Sequence, residues 1–255
     1  MANITRDRGC AYYVPWLATV FVCFGIAATG VWAYYTKTSV NKTEDSVSYM
    51  DAYAPDLNRF NDSLVGTSIA YLVLIMIIYV MCLWRSFIEA AHDATGVTAK
   101  GATAFLVLTY IWITCWWCML VWLVFLLQAN TLWQGSIVSL SDSCDRTLAA
   151  IVKYGPATWL PSRNLPCPGQ CLDLSMVNFL SVDYTDSCIC DQDKLTESQS
   201  MLQDAYDNMI GVQVGNWVML AAGLFLLMSY VGAFSHTKRE RELLTRVGVK
   251  RYSSI

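Results

Sequence analysis

Charge is what this sequence lacks most, and the places where it is missing decide its class. Only 15% of the 255 residues are Asp, Glu, Lys or Arg, against about 25% in soluble domains. The deficit falls in four blocks, 14–35, 67–84, 102–128 and 212–234, and none holds a single Asp, Glu, Lys, Arg or His. Each is 18 to 27 residues long, and a helix needs about 20 to cross the hydrocarbon core. Core helices of soluble proteins are shorter and amphipathic. Barrel strands are about 10 residues long and alternate in polarity. The blocks therefore read as membrane-spanning helices, the form that satisfies every backbone group within its own segment. The first is too long for a signal-peptide core of about 7–15 residues, and Trp32, Tyr34 and Tyr35 make a poor cleavage site.

The same absence argues against transport. Pumps and many transporters carry ionisable groups at depth; here the deepest polar side chains are Thr19, Thr29, Thr109, Thr114, Asn216 and Ser229. Histidine is scarce as well, limited to His92 and His236. Glu89, His92 and Asp93 gather at the end of the second block. They read as a solvated membrane-edge turn rather than a metal or proton-relay site. No catalytic or metal constellation stands out, so the chain is expected to be neither an enzyme nor a holder of a cofactor.

What charge there is sets orientation. Segments 1–13, 85–101 and 235–255 hold ten Lys and Arg against five acids, whereas 36–66 and 129–211 hold seven against fifteen. By the positive-inside rule the first set is cytoplasmic. The expected layout is a cytoplasmic amino end (1–13), a span (14–35), a first outer loop (36–66), a span (67–84) and a cytoplasmic loop (85–101). A span (102–128), a second outer loop (129–211), a span (212–234) and a basic cytoplasmic tail (235–255) follow. With no clear retention or sorting signal, the plasma membrane is the default address.

Sequons at Asn41 and Asn61 fall in the first outer loop and are candidate glycosylation sites. Five of the ten cysteines, Cys144, Cys167, Cys171, Cys188 and Cys190, fall in the second. Disulfides form and persist on the oxidising side of a membrane, so these five read as staples, with one left over. Zinc is the rival reading, because Cys167-x3-Cys171 and Cys188-x-Cys190 resemble ligand pairs.

The third block is rich in tryptophan: Trp112, Trp116, Trp117 and Trp122. Packing inside the bundle and a lipid- or partner-facing ridge are both open. Gly211 and Gly215 form a Gly-x-x-x-Gly pair that permits close helix approach, and Gln213 and Asn216 are placed to bond another helix. Cys10, just inside the membrane, is a palmitoylation candidate. The basic run after the fourth block should attract anionic phospholipid. The ending Ser253-Ser254-Ile255 suits strand addition to a PDZ groove.

The layout resembles the myelin proteolipid protein family, and within it the neuronal membrane glycoproteins. The likeness is carried by Val14-Pro-Trp-Leu-Ala-Thr-Val-Phe-Val-Cys-Phe-Gly-Ile-Ala27, by Leu108-Thr-Tyr110 with Trp122, by Asn130-Thr-Leu-Trp133 and by Cys171-Leu-Asp-Leu174. Nested bridges Cys144–Cys190 and Cys171–Cys188 are what the resemblance implies, although Cys167 is extra and Cys190 comes early. The cysteine-free first loop departs from claudin-like proteins and connexins, and the missing Cys-Cys-Gly departs from tetraspanins. The expectation is an all-α membrane protein, a four-helix bundle with a disulfide-stapled second outer loop. It would act as a non-enzymatic organiser that binds other transmembrane proteins, itself or sterol. An accessory subunit of a channel or receptor is the alternative; an intrinsic channel or transporter comes last.

Overall fold

Each uncharged block falls in a longer helix. The computed structural model describes residues 15–52, 56–95, 102–163, 166–177, 180, 183 and 187–252; at 56–59, 89–95, 102–103, 162 and 240–252 it describes the backbone alone. The helices are α1 (Trp16–Tyr49), α2 (Asp56–Thr95), α3 (Ala102–Tyr154) and α4 (Gln192–Tyr252). All four are long and apolar enough to cross a bilayer, and the chain is a multi-pass membrane protein. At 1.5 Å per residue the 53 residues of α3 run about 80 Å, well over twice the ~30 Å of hydrocarbon.

The segments expected outside the membrane, 36–66 and 129–211, are largely helical among the described residues. Of the described residues in 36–66, α1 continues to Tyr49 and α2 begins at Asp56; in 129–211, α3 continues to Tyr154 and α4 begins at Gln192. Local chemistry fixes these ends. Asp51 sits at φ 54°, and the amides of Asp51 and Ala52 reach back to the carbonyls of Ser48 and Val47 at 3.0 and 3.1 Å. That is the Schellman arrangement that closes a helix. Gly155 ends α3 at φ 86°, its amide donating to the Ile151 carbonyl at 2.8 Å. Asp191 caps α4 by accepting from the Asp193 amide at 2.9 Å.

The buried positions recur every three then four residues. On α4 they are Leu195, Ser198, Leu202, Ala205, Met209, Val212, Asn216 and Met219, and the same spacing later brings Leu226 and Tyr230. On α1 the run is Ala18, Val22, Thr29, Trp32, Thr36, Ser39, Thr43, Ser46 and Met50, with Gly25 at the place left between Val22 and Thr29. A sustained seven-residue repeat keeps one seam of each helix facing its partner helices.

The chain divides into two units. The described residues of the first are 15–28, 70–95, 102–124 and 218–252. Its interior is closed by bulky side chains: Tyr71, Ile75, Ile78, Phe105, Trp116, Leu123, Leu226 and Tyr230 are all fully buried. Two of the polar tips are matched to backbone, as a low-dielectric setting favours. Tyr71 donates to the Met219 carbonyl and the Trp116 indole to the Gly223 carbonyl, each at 3.0 Å. Phe21 stacks on Phe225 at 4.7 Å, and Trp84 meets Phe105 edge-on at 5.9 Å.

The second unit comprises the described residues within 29–69 and 125–217. Here the seam of α1 is mostly hydroxyl. Ser39 donates to the Ala205 carbonyl at 3.0 Å, and Ser46 and Ser198 exchange hydroxyl-to-carbonyl bonds at 3.0 and 3.3 Å. Small side chains bring α1 and α4 close, and each such bond contributes about 0.5–1.5 kcal/mol. Lys42 pairs with Asp204 at 3.3 Å, and Lys194 pairs with Asp51, which ties the end of α1 to the start of α4. Phe60 of α2 stacks near Trp133 of α3, centroids 6.4 Å apart.

Outward apolar side chains mark a belt on every helix. The dense runs go from Trp16 to Tyr34 on α1, Val65 to Phe87 on α2, Val107 to Leu132 on α3 and Ile210 to Val231 on α4, with Tyr49, Val138, Val152 and Tyr154 exposed beyond them. The belt follows the uncharged blocks to within a few residues, which is what contact with a bilayer requires of a helix exterior.

Candidate functional site: the stapled segment and its groove

Among the described residues between α3 and α4 there is little regular structure. Two two-residue strands, β1 (Leu172–Asp173) and β2 (Cys188–Ile189), pair antiparallel, Leu172 opposite Ile189 and Asp173 opposite Cys188. A short 3₁₀ turn follows β1 (Leu174–Met176), capped by Asp173, whose Oδ1 accepts from the Ser175 amide at 2.9 Å and from the Ser175 hydroxyl at 2.6 Å. A ladder this small is not stable alone.

Disulfides secure it. Cys167 is bonded to Cys188 and Cys171 to Cys190. The bridges are interleaved, and the nested pairs Cys144–Cys190 and Cys171–Cys188 do not form. The zinc alternative loses its ligands to these bonds. Cys144 is the odd thiol. It lies on the buried face of α3 as a free cysteine, because the seam spacing that includes Leu140 and Thr147 turns it inward. Burial, with Asp145 adding to it, pushes its thiol up to about 11. With bridge separations of 21 and 19 residues, chain-entropy bookkeeping assigns roughly 3 kcal/mol to each.

The stapled segment folds back along α3. A groove of about 690 Å³ opens between them, walled on one side by α3 from Thr131 to Thr147 and on the other by Leu172, Asp173, Met176 and Val177. The hydroxyls of Ser136, Ser143 and Thr147 donate to helix carbonyls at 3.1, 2.8 and 2.9 Å. Arg146 is the groove's cation and forms no ion pair among the described residues. No periodicity or spacing in the sequence announces this groove, since one of its walls is placed by the disulfides.

The other candidates are distributed. A side chain at Gly211 would meet the ring of Tyr35, and one at Gly215 the backbone of Trp32, so both sit where α4 approaches α1. Gln213 donates to Thr131 of α3 at 3.4 Å. Asn216 is buried, and neither its amide nitrogen nor its oxygen has a partner among the described residues. Asn41 and Asn61 are both exposed, but on helices, and Thr43 of the first sequon is buried with its hydroxyl given to the Ser39 carbonyl at 2.9 Å. The tryptophans divide: Trp116 is packed inside, while Trp117 and Trp122 face outward. Cys10, Ser253 and Ile255 lie outside the described residues, as do the side chains of Glu89, His92 and Asp93. Among the described residues no three His, Cys, Asp or Glu side chains gather as a metal site would require.

Compared with known proteins, the chain matches no family model, no curated protein and no solved structure.

Proposed function

We propose that this protein is a non-enzymatic organiser of the plasma membrane, of the kind its resemblance to the proteolipid family implies. Both termini face the cytoplasm and the stapled segment faces outside. One observation carries the reading. The first unit's interior is filled by Tyr71, Ile78, Phe105, Trp116 and Tyr230, all fully buried, which leaves the outward faces and the stapled segment to act. Charge bias and disulfides support the orientation independently. The spans contact lipid, sterol, further copies or other membrane proteins. The basic tail meets anionic lipid, with Cys10 palmitoylated, Asn41 or Asn61 glycosylated and Ser253–Ile255 offered to a PDZ domain.

Trp117 and Trp122, 58% and 45% exposed, favour a second reading as accessory subunit of a channel or receptor, since outward tryptophan is a common anchor in interfaces. Purification in mild detergent from membranes that express the protein separates the two. Lipid and self-oligomers alone support the organiser; a channel or receptor at fixed ratio supports the subunit. Conductance from the purified protein in bilayers overturns both. Epitope tags at either terminus that react in intact cells overturn the orientation.

A further inference from the structure

We propose that the groove beside α3 holds the headgroup of an acidic glycolipid, whose chains stay in the bilayer near Leu132 and whose sugars climb α3 to Arg146. The inference rests on the outward orientation proposed above. The groove's volume of about 690 Å³ lies within the usual range of small-molecule sites.

The chemistry of the walls selects the ligand. Ser136, Ser143 and Thr147 spend their protons on helix carbonyls at 3.1, 2.8 and 2.9 Å, yet a hydroxyl that donates still accepts. Asp173 gives Oδ1 to Ser175 and leaves Oδ2 to accept. The walls are therefore rich in acceptors, and the complement is a molecule with many donors, such as the hydroxyls of sugars. Arg146, exposed and without an ion pair among the described residues, adds an anionic group to the specification.

Position selects a lipid, and distance selects its size. The groove starts where the dense outward apolar run of α3 gives out, at Leu132, which is 74% exposed; beyond it Val138, Val152 and Tyr154 alone are large, apolar and outward on the helix. Arg146 is 14 residues further along α3, about 21 Å at the helical rise. The interfacial layer of a bilayer is about 5–8 Å thick on each side, so a glycerophospholipid headgroup stops short of Arg146 and several sugars are needed. Gly135 keeps the path open: a Cβ there would meet nothing within 4 Å.

The test uses the full chain in mild detergent, where sidedness plays no part, so the outcome is independent of the orientation experiment. Native mass spectrometry reads retention of three added lipids: a sialylated tetrasaccharide glycosphingolipid, the same lipid without sialic acid, and phosphatidylserine. The wild type should retain the sialylated lipid roughly tenfold better than either other, as loss of one charge-assisted bond predicts. Arg146→Gln should bring the two glycolipids level, and Gly135→Trp should abolish retention of both. Equal retention of phosphatidylserine, no retention of the sialylated lipid, or undiminished retention by Gly135→Trp overturns the proposal. The wild-type comparison decides alone if a variant does not fold.

Discussion

Replacing Gly215 by Ala should destabilise the protein, while the same change at Gly66 should not. A Cβ at Gly215 would lie 2.8 Å from Trp32 Cβ and 2.9 Å from Trp32 Cα and N. Carbon atoms prefer about 3.5–4.0 Å. The obstacle is largely backbone, so a rotamer change cannot relieve it, and α1 and α4 must part by roughly 0.6–1 Å at the Trp32–Gly215 level. A gap of that size forfeits about a quarter to a half of each affected contact. Overpacking of this kind costs about 1–3 kcal/mol. At Gly66 a Cβ meets nothing within 4 Å, and the helix gains roughly 0.5–1 kcal/mol from the alanine. For a chain of this length 1 kcal/mol is about 2–4 °C. Net of the same helix gain, Gly215→Ala should lower the midpoint by several degrees, up to about 10 °C, and Gly66→Ala should hold or raise it, as read by fluorescence-detected gel filtration of heated detergent samples. Gly211→Ala should fall between, because its obstacle is the Tyr35 ring, which can swing. If Gly215→Ala matches the wild type, or the Gly66 and Gly215 variants fall together, close approach at Gly215 is not what holds α4 to α1.

Other consequences are testable on the same preparation. Under denaturing conditions without reductant, a fragment covering 129–211 should expose one alkylatable thiol, Cys144, and five after reduction, with a shift in gel mobility; five thiols before reduction would remove the staples. Native Cys144, held up to about 11 from an ordinary 9.0, should alkylate at pH 9 about fiftyfold more slowly than an ordinary thiol. Because its folded value is raised, the stability it contributes is complete below about pH 9 and is lost as pH climbs toward 11; a midpoint that rises over that window contradicts the burial. Ser198→Leu should destabilise by about 1–3 kcal/mol, since Ser198 is fully buried against Ser46, and an unchanged midpoint would refute the tight seam.

How much of this was legible follows from what each residue shows in one dimension. The spans were plain, because the absence of charge over 18 or more residues has few other causes. Their continuation was not. On α1 the seam runs through Thr36, Ser39, Thr43 and Ser46, and on α4 through Ser198 and Ala205. Where inward and outward positions are both polar, hydrophobic periodicity has nothing to report. The helix ends were written in Gly155 ahead of Pro156 and in Asp191 after Cys190, signals of capping. The number of staples followed from the odd cysteine count, but the pairing did not. Cys144, which the resemblance assigned to a bridge, is turned into the bundle by its place in the α3 repeat.

The staples and the groove are one construction. β1 and β2 meet in a two-residue ladder, too short to hold itself. Cys171–Cys190 and Cys167–Cys188 flank that ladder, so the wall formed by Asp173 and Met176 stands where oxidation puts it. This makes the shape of the groove conditional on compartment. On a reducing face the wall would lose roughly 3 kcal/mol per bridge, more than a small ladder supplies. A groove built on two disulfides keeps its form only where disulfides persist, on the side to which charge bias also assigns it.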